Sequence, residues 1–238
     1  MEDDILNLDR PGGATLAYCY TPAKPGVQGT TLVFLPGYMS DMEGGKALAV
    51  DAWAKQQGRA MLRLDYSGCG ASGGDFEDQS LIDWRDDVLF LIDKVTSGSI
   101  TLIGSSMGGW LMLLVALSRP MRVKNLVGIA AAPDFTDWGF TQEQKMTILR
   151  EGKLEEESEY SDEPYVTTRT FWQSGDSARL LHKEIAFDGA VRLLHGQKDD
   201  DVPWAYSLEI AKKVRSDDVQ VHLVKDGDHR LARNQDIG

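Results

Sequence analysis

Thr101-Leu102-Ile103-Gly104-Ser105-Ser106-Met107-Gly108-Gly109-Trp110 joins a short apolar run to a longer, almost wholly apolar one that continues from Trp110 to Leu117. The first run reads as a buried strand and the second as a helix covered on most sides. Only Gly104 to Gly108 separates them, in the pattern Gly-x-Ser-x-Gly. A turn this tight between strand and helix needs small residues two places before and two places after the central serine. The same turn puts Ser106 at the helix N-terminus with its Oγ exposed. It aims the N–H of Met107 at the place where an oxyanion would form, with help from the helix dipole. A glycine-rich turn with incidental serines matches the pentapeptide equally well. The strand before it and the helix after it favour a nucleophile.

Working outward, short apolar runs alternate with helical patterns. Strands are expected at 30–35, 60–64, 100–103, 126–131, 191–194 and 219–224. Helices are expected at 45–57 and where Leu81, Trp84, Val88, Leu91, Ile92 and Val95 recur at three- and four-residue steps. A further helix starts with Pro203 in its first turn and buries Trp204, Leu208, Ala211 and Val214. This alternation predicts an α/β fold, a mostly parallel sheet with helices on both faces. Residues 13–20 are expected to add an antiparallel edge strand. The rhythm breaks between about 135 and 187. Within that stretch Glu151, Glu155, Glu156, Glu157, Glu159, Asp162 and Glu163 stand against one lysine, Lys153. The charges read as a solvated surface. An insertion of this length between core strands reads as a cap over the sheet's ligand edge, with helical patches at 143–150 and 169–174. The expectation is one domain, 1–238, interrupted by that cap.

The whole chain has 238 residues and a net charge of −12, with no basic patch to override that field. Nucleic acid is therefore excluded as a partner. Two cysteines, Cys19 and Cys69, make no disulfide framework or zinc cluster. The acidic N-terminus, Met1-Glu2-Asp3-Asp4, has the wrong sign for a secretory or transit segment. No run of about 18 apolar residues would span a membrane. A cytoplasmic setting is the expectation.

Acyl chemistry at Ser106 needs a second oxyanion donor, a base and an acid. Pro36-Gly37-Tyr38 follows the first core strand, and the Tyr38 N–H is the candidate donor; an ordinary Pro-Gly turn is the alternative. Of four histidines, His182 lies in the cap, His222 in a strand pattern, and His195 at a strand end where a structural role fits better. His229 follows the last strand, in the position where ligands meet an open sheet, and is the preferred general base. Asp199, Asp200 and Asp201 follow the preceding strand, and spacing does not separate them. Gly68-Cys69-Gly70-Ala71-Ser72-Gly73 matches GxGxxG, but polar residues intervene before the next helix, so it reads as a loop and not as a dinucleotide site. No serine is followed three residues later by lysine, and no HExxH is present. No cofactor and no metal are expected.

Asp65-Tyr66-Ser67-Gly68, Gly104-x-Ser106-x-Gly108 and His195-Gly196-x-x-Asp199-x-x-Val202-Pro203 resemble the α/β-hydrolase superfamily. Leu35 to Met42, Gly104 to Trp110 and Val224 to Leu231 resemble, more narrowly, its palmitoyl-protein thioesterase and mycophenolic acid acyl-glucuronide esterase branch. The resemblance covers nearly the whole chain. It implies Ser106 as nucleophile, Asp199 as acid, His229 as base, and Tyr38 and Met107 at the oxyanion positions. It implies a cofactor-free serine hydrolase that cleaves carboxylic esters or acyl thioesters through an acyl-enzyme, on small-molecule or acyl-protein substrates. A non-catalytic ligand-binding member of the fold is the rival. Met39 and Trp110 are candidate substrate contacts, although core packing accounts equally well for Trp110. That branch continues into a final helix after its histidine, whereas nine residues follow His229 here; a longer natural chain is the expectation.

Overall fold

A computed structural model describes residues 4–157 and 164–237. Glu159, Asp162 and Glu163 of the acidic stretch lie outside the described residues. Eight strands form one sheet in the order β1-β2-β4-β3-β5-β6-β9-β10. They are β1 (Leu6–Asp9), β2 (Thr15–Thr21), β3 (Thr31–Leu35), β4 (Met61–Leu64), β5 (Ile100–Ser105), β6 (Val123–Ile129), β9 (Ala190–Gly196) and β10 (Val219–Val224). From β4 to β10 every pairing is parallel, while β2 runs antiparallel to both β1 and β4. The expected edge strand at 13–20 is therefore not at the edge: Leu6–Asp9 pairs along its outer side. The strand expected at 126–131 starts earlier, at Val123, and ends at Ile129, where Ala130 turns to φ 46° after its N–H makes a last bond to the Leu194 carbonyl.

β3, β4 and β5 are buried on both faces, in keeping with their mostly apolar runs; the exception in β4, Arg63, is buried with its guanidinium donating to the Met42 carbonyl. Alternate residues point to opposite layers. Leu32, Phe34, Met61 and Ile103 pack on α1 (Gly45–Gln57) through Ala47 and Ala54. Val33, Leu35, Leu62 and Leu64 face α2 (Leu81–Val95) and α3 (Met107–Ser118), and the same core extends to Ile210 of α7 (Ala205–Lys213). That helix starts two residues after Pro203, so the proline lies just outside it. A capping box at Ser80 and Asp83 starts α2 after a 3-10 turn at Phe76–Asp78.

Between β6 and β9 lie α4 (Phe135–Trp138), α5 (Gln142–Glu151), β7 (Lys153–Glu156), β8 (Tyr165–Thr168) and α6 (Arg169–Ser177). The antiparallel pair β7–β8 is a separate small sheet. Its four-residue strands, one mostly charged (Lys153–Glu156) and one uncharged (Tyr165–Thr168), are too short to leave a clear period in the sequence. Phe171 of α6 is buried in the main core, against the rings of Tyr38, Trp84 and Phe135. After β10 come a loop and the four-residue helix α8 (Asn234–Ile237).

Candidate functional site

Ser106 is the entire connection between β5 and α3. Its backbone sits at φ 52°, ψ −120°, a region that costs a non-glycine residue roughly 1–3 kcal/mol. The surroundings hold it there. Its N–H donates to the Ile129 carbonyl at 3.0 Å, and its carbonyl accepts from Gly109 at 2.9 Å and Ala132 at 3.0 Å. The glycines on either side are required by space. A Cβ on Gly104 would lie 2.3 Å from the Gly108 carbonyl oxygen, and one on Gly108 would lie 2.1 Å from that of Leu35.

Gly37 stands opposite, where a Cβ would approach that of Ser106 to 3.4 Å. The next amide is that of Tyr38. Among the described residues, neither the Tyr38 N–H nor the Met107 N–H has a hydrogen-bond acceptor. Two amides beside one serine, both free to donate, are what a tetrahedral oxyanion needs.

The loops after β9 and β10 are laced together. Lys198 N–H donates to the Gly227 carbonyl, and Gln197 N–H to that of Val224, both at 2.8 Å. Gly196 permits the approach, since a Cβ there would lie 2.2 Å from the Gly227 carbonyl oxygen. This lacing brings Asp199 to His229. Asp199 Oδ2 bonds His229 Nδ1 at 2.8 Å, while Oδ1 accepts the N–H groups of Asp201 at 3.0 Å and Val202 at 2.7 Å. Asp200 and Asp201 are exposed, and the carboxylate that meets His229 Nδ1 at 2.8 Å is that of buried Asp199. Burial pushes the Asp199 carboxyl up. The hydrogen bonds from His195 and His229, the charge of His229 and the Val202 N–H outweigh it, and they hold Asp199 well below the usual carboxylate range. With Nδ1 committed to Asp199, the nitrogen of His229 left for other work is Nε2. No hydrogen bond from Ser106 Oγ is present among the described residues.

His195 is fully buried behind Asp199. Its Nε2 is 3.0 Å from Asp199 Oδ2 and 2.9 Å from the Val202 carbonyl oxygen, and its Nδ1 is 2.8 Å from Ser207 Oγ. Two acceptors at Nε2 place the proton there, so Nδ1 accepts from the Ser207 hydroxyl. The structural role expected for His195 thus has a specific content: it is a second support for the carboxylate. Sequence reasoning missed that support; the four-residue step from His195 to Asp199 was its only trace. Lys46 was also missed. Its half-buried ammonium donates to the Arg230 carbonyl at 2.6 Å, next to His229. Burial and the neighbouring Arg230 charge lower its pKa against the pull of Asp228 and Asp199.

Met39, at φ 52°, accepts the Val166 N–H on its sulfur at 3.5 Å. Trp110 is wholly buried, edge-on to Phe135, with Nε1 unpartnered among the described residues. His182 and His222 are exposed, on the insertion and on β10. The GxGxxG stretch is a loop wrapped around Asp65, which accepts the N–H groups of Met42 at 2.7 Å and Ala71 at 2.8 Å. It opens no helix. Asp199, Asp201 and His229 are the one group among the described residues whose ligand atoms, within 4.8 Å of one another, could hold a metal ion. A metal on His229 Nδ1 would displace the bond to Asp199. No helix among the described residues is long and apolar enough to cross a membrane.

The profile of the alpha/beta hydrolase fold matches residues 30–151. The human mitochondrial palmitoyl-protein thioesterase ABHD10 is 43% identical over 235 residues, which is 97% of this chain and 75% of the relative. Among solved structures, the mouse alpha/beta hydrolase domain-containing protein 10 superimposes with a TM-score of 0.89 at 39% identity, covering 98% of this chain and 94% of its own. A putative hydrolase from Agrobacterium vitis S4 superimposes with a TM-score of 0.90 at 36% identity, covering 99% and 94%. The mammalian relatives are named as mitochondrial, which lends the cytoplasmic expectation no support.

Proposed function

The chain belongs to the alpha/beta hydrolase family, and we propose that within it the protein is a serine hydrolase cleaving acyl thioesters or carboxylic esters. The observation that carries this reading is the pairing of a strained, helix-capping Ser106 beside two unpartnered amides with an Asp199–His229 hydrogen bond at the same carboxyl end of the sheet.

His229 Nε2 takes the proton of Ser106 as Oγ attacks the acyl carbonyl. The Tyr38 and Met107 amides hold the oxyanion, and the N-terminus of α3 adds its dipole. Asp199 stabilises the imidazolium, which then protonates the leaving thiolate or alkoxide. Water, activated by the same ring, releases the acyl group. The insertion between β6 and β9 serves as the cap. Similarity to a palmitoyl-protein thioesterase favours a long acyl chain on a thioester.

The test is hydrolysis of p-nitrophenyl esters and acyl-coenzyme A thioesters across chain lengths by wild type and Ser106→Ala. Loss of turnover by at least about a thousandfold is expected. A variant as active as wild type sinks the mechanism.

A further inference from the structure

We propose that Tyr38 is a positioning residue whose phenol, bonded to β8 of the insertion, fixes the oxyanion amide, so that the oxyanion hole is complete only while the β7–β8 hairpin is seated. This rests on the reading of Ser106 as the nucleophile.

One residue of β8 grips the oxyanion loop twice. Tyr38 Oη donates to the Val166 carbonyl at 2.6 Å, and the Val166 N–H donates to Met39 Sδ at 3.5 Å. The first of these bonds is buried and joins positions 128 residues apart. Within the loop the Ser40 N–H donates to the Gly37 carbonyl at 3.3 Å, and further ties come from the sheet side. Tyr66 Oη donates to the Pro36 carbonyl, Asp65 accepts the Met42 N–H, and Arg63 donates to the Met42 carbonyl. They hold the two ends of the segment. The side chains of residues 38 and 39 in its middle are tied to the insertion.

The middle is also where the backbone is strained, with Met39 at φ 52°. A left-handed methionine persists only where its surroundings over-determine it. Relaxing that torsion would re-aim residue 38, whose amide carries the oxyanion role. The ring of Tyr38 lies between Trp84 of the core and Phe135, Tyr165 and Phe171 of the insertion, so packing and hydrogen bonding give the same coupling. β7 and β8 form a two-stranded sheet of their own, separate from the main one, so the contacts of Val166 with the oxyanion loop are made through the loop's side chains and not by a shared ladder. Unseating the hairpin withdraws the acceptor for the phenol and the donor to the sulfur together, and the site loses transition-state stabilisation without losing Ser106, Asp199 or His229.

Tyr38→Phe deletes the hydroxyl and keeps the ring. We expect kcat to fall about tenfold or more with KM within about twofold, the signature of an interaction made in the transition state. A trifluoromethyl ketone, which forms a hemiketal oxyanion on the serine, should bind more weakly by the same factor. Inhibition by the free fatty acid product should stay unchanged. A folded variant with unchanged kcat and unchanged ketone affinity overturns the inference. So does a variant in which product inhibition weakens and ketone inhibition does not, because residue 38 would then serve ground-state binding. If Tyr38→Phe does not fold by circular dichroism, Met39→Leu removes the acceptor for the Val166 N–H and should give the same weakening for the ketone alone; its absence is equally damaging. Full activity in Ser106→Ala would instead bring down the serine-hydrolase reading beneath it.

Discussion

Replacing His195 by phenylalanine tests how far the site depends on a residue that never meets substrate. The ring makes three polar contacts in a place closed to water: Asp199 Oδ2, the Val202 carbonyl and the Ser207 hydroxyl. Phenylalanine fills similar space and makes none of them. The carboxylate keeps His229 and the amides of Asp201 and Val202, so it loses one charge-assisted bond of about 1.5–3 kcal/mol. Val202 O and Ser207 Oγ are left without their partner, at about 1–3 kcal/mol for a group that stays unpaired. The serine lies in the first turn of α7, where it can turn its hydroxyl to a backbone carbonyl. A net loss of about 3–5 kcal/mol follows, or roughly 10 °C in Tm for a chain of this size. Urea unfolding of wild type and variant at several pH values is the assay. Asp199 is held below its unfolded value, so its contribution is fully present above about pH 4 and is lost as pH falls through the folded value. With one of the bonds that depress Asp199 removed, that contribution is smaller in the variant, and the gap between the two proteins should narrow below pH 4. A loss under about 1 kcal/mol, or a gap that does not change with pH, refutes the account of His195 as support for a charged Asp199.

Three further outcomes follow from the same geometry. Gly108→Ala should give no soluble folded protein, because its methyl would overlap the Leu35 carbonyl within 2.1 Å and neither backbone can move without breaking the β3–β5 pairing; normal expression and thermal unfolding would contradict this. Cys69 is buried, and burial, with the nearby Asp65, Asp87 and Asp41, pushes its thiol up to about 12, so a disulfide exchange reagent at pH 8 should leave it unmodified in the native protein and titrate it on unfolding. Lys46→Met keeps a stem of similar length on α1 and removes the bond to Arg230; freeing the loop that bears His229 should lower kcat several-fold, up to about tenfold from the worth of one such bond, with wild-type rates arguing against a clamp.

The parallel core was legible because strands covered on both faces become near-continuous apolar runs, and 32–35 is such a run, with 61–64 interrupted only by Arg63. The elbow was legible because its requirement is steric and local: two glycines at fixed steps from a serine. Spacing left three aspartates open. Of the three it is Asp199 whose Oδ2 meets His229, a contact across 30 residues that depends on the lacing of two loops. The β7–β8 pair left no period because its strands have four residues each, and the charged run of Lys153–Glu156 looks like a loop. Lys46 left no signal either, since a lysine in the first turn of a surface helix is ordinary until its tip meets a carbonyl from residue 230. The outer strand at Leu6–Asp9 escaped because an edge needs only one buried face, and here it is mostly exposed.

The sheet order has a consequence in time. The groups proposed for catalysis follow β3, β5, β9 and β10, and the double grip of Val166 on the oxyanion loop comes after the first two of them. During synthesis the elbow emerges with its strand and helix long before the base, and β9 cannot join β6 until residues 130–189 have been made. On the proposed mechanism a growing chain would therefore carry its nucleophile without its base for most of its manufacture. Hydrolysis would become available only when the segment bearing residue 229 closes on the rest. Activity would in that sense certify that the long-range contacts of the site have formed.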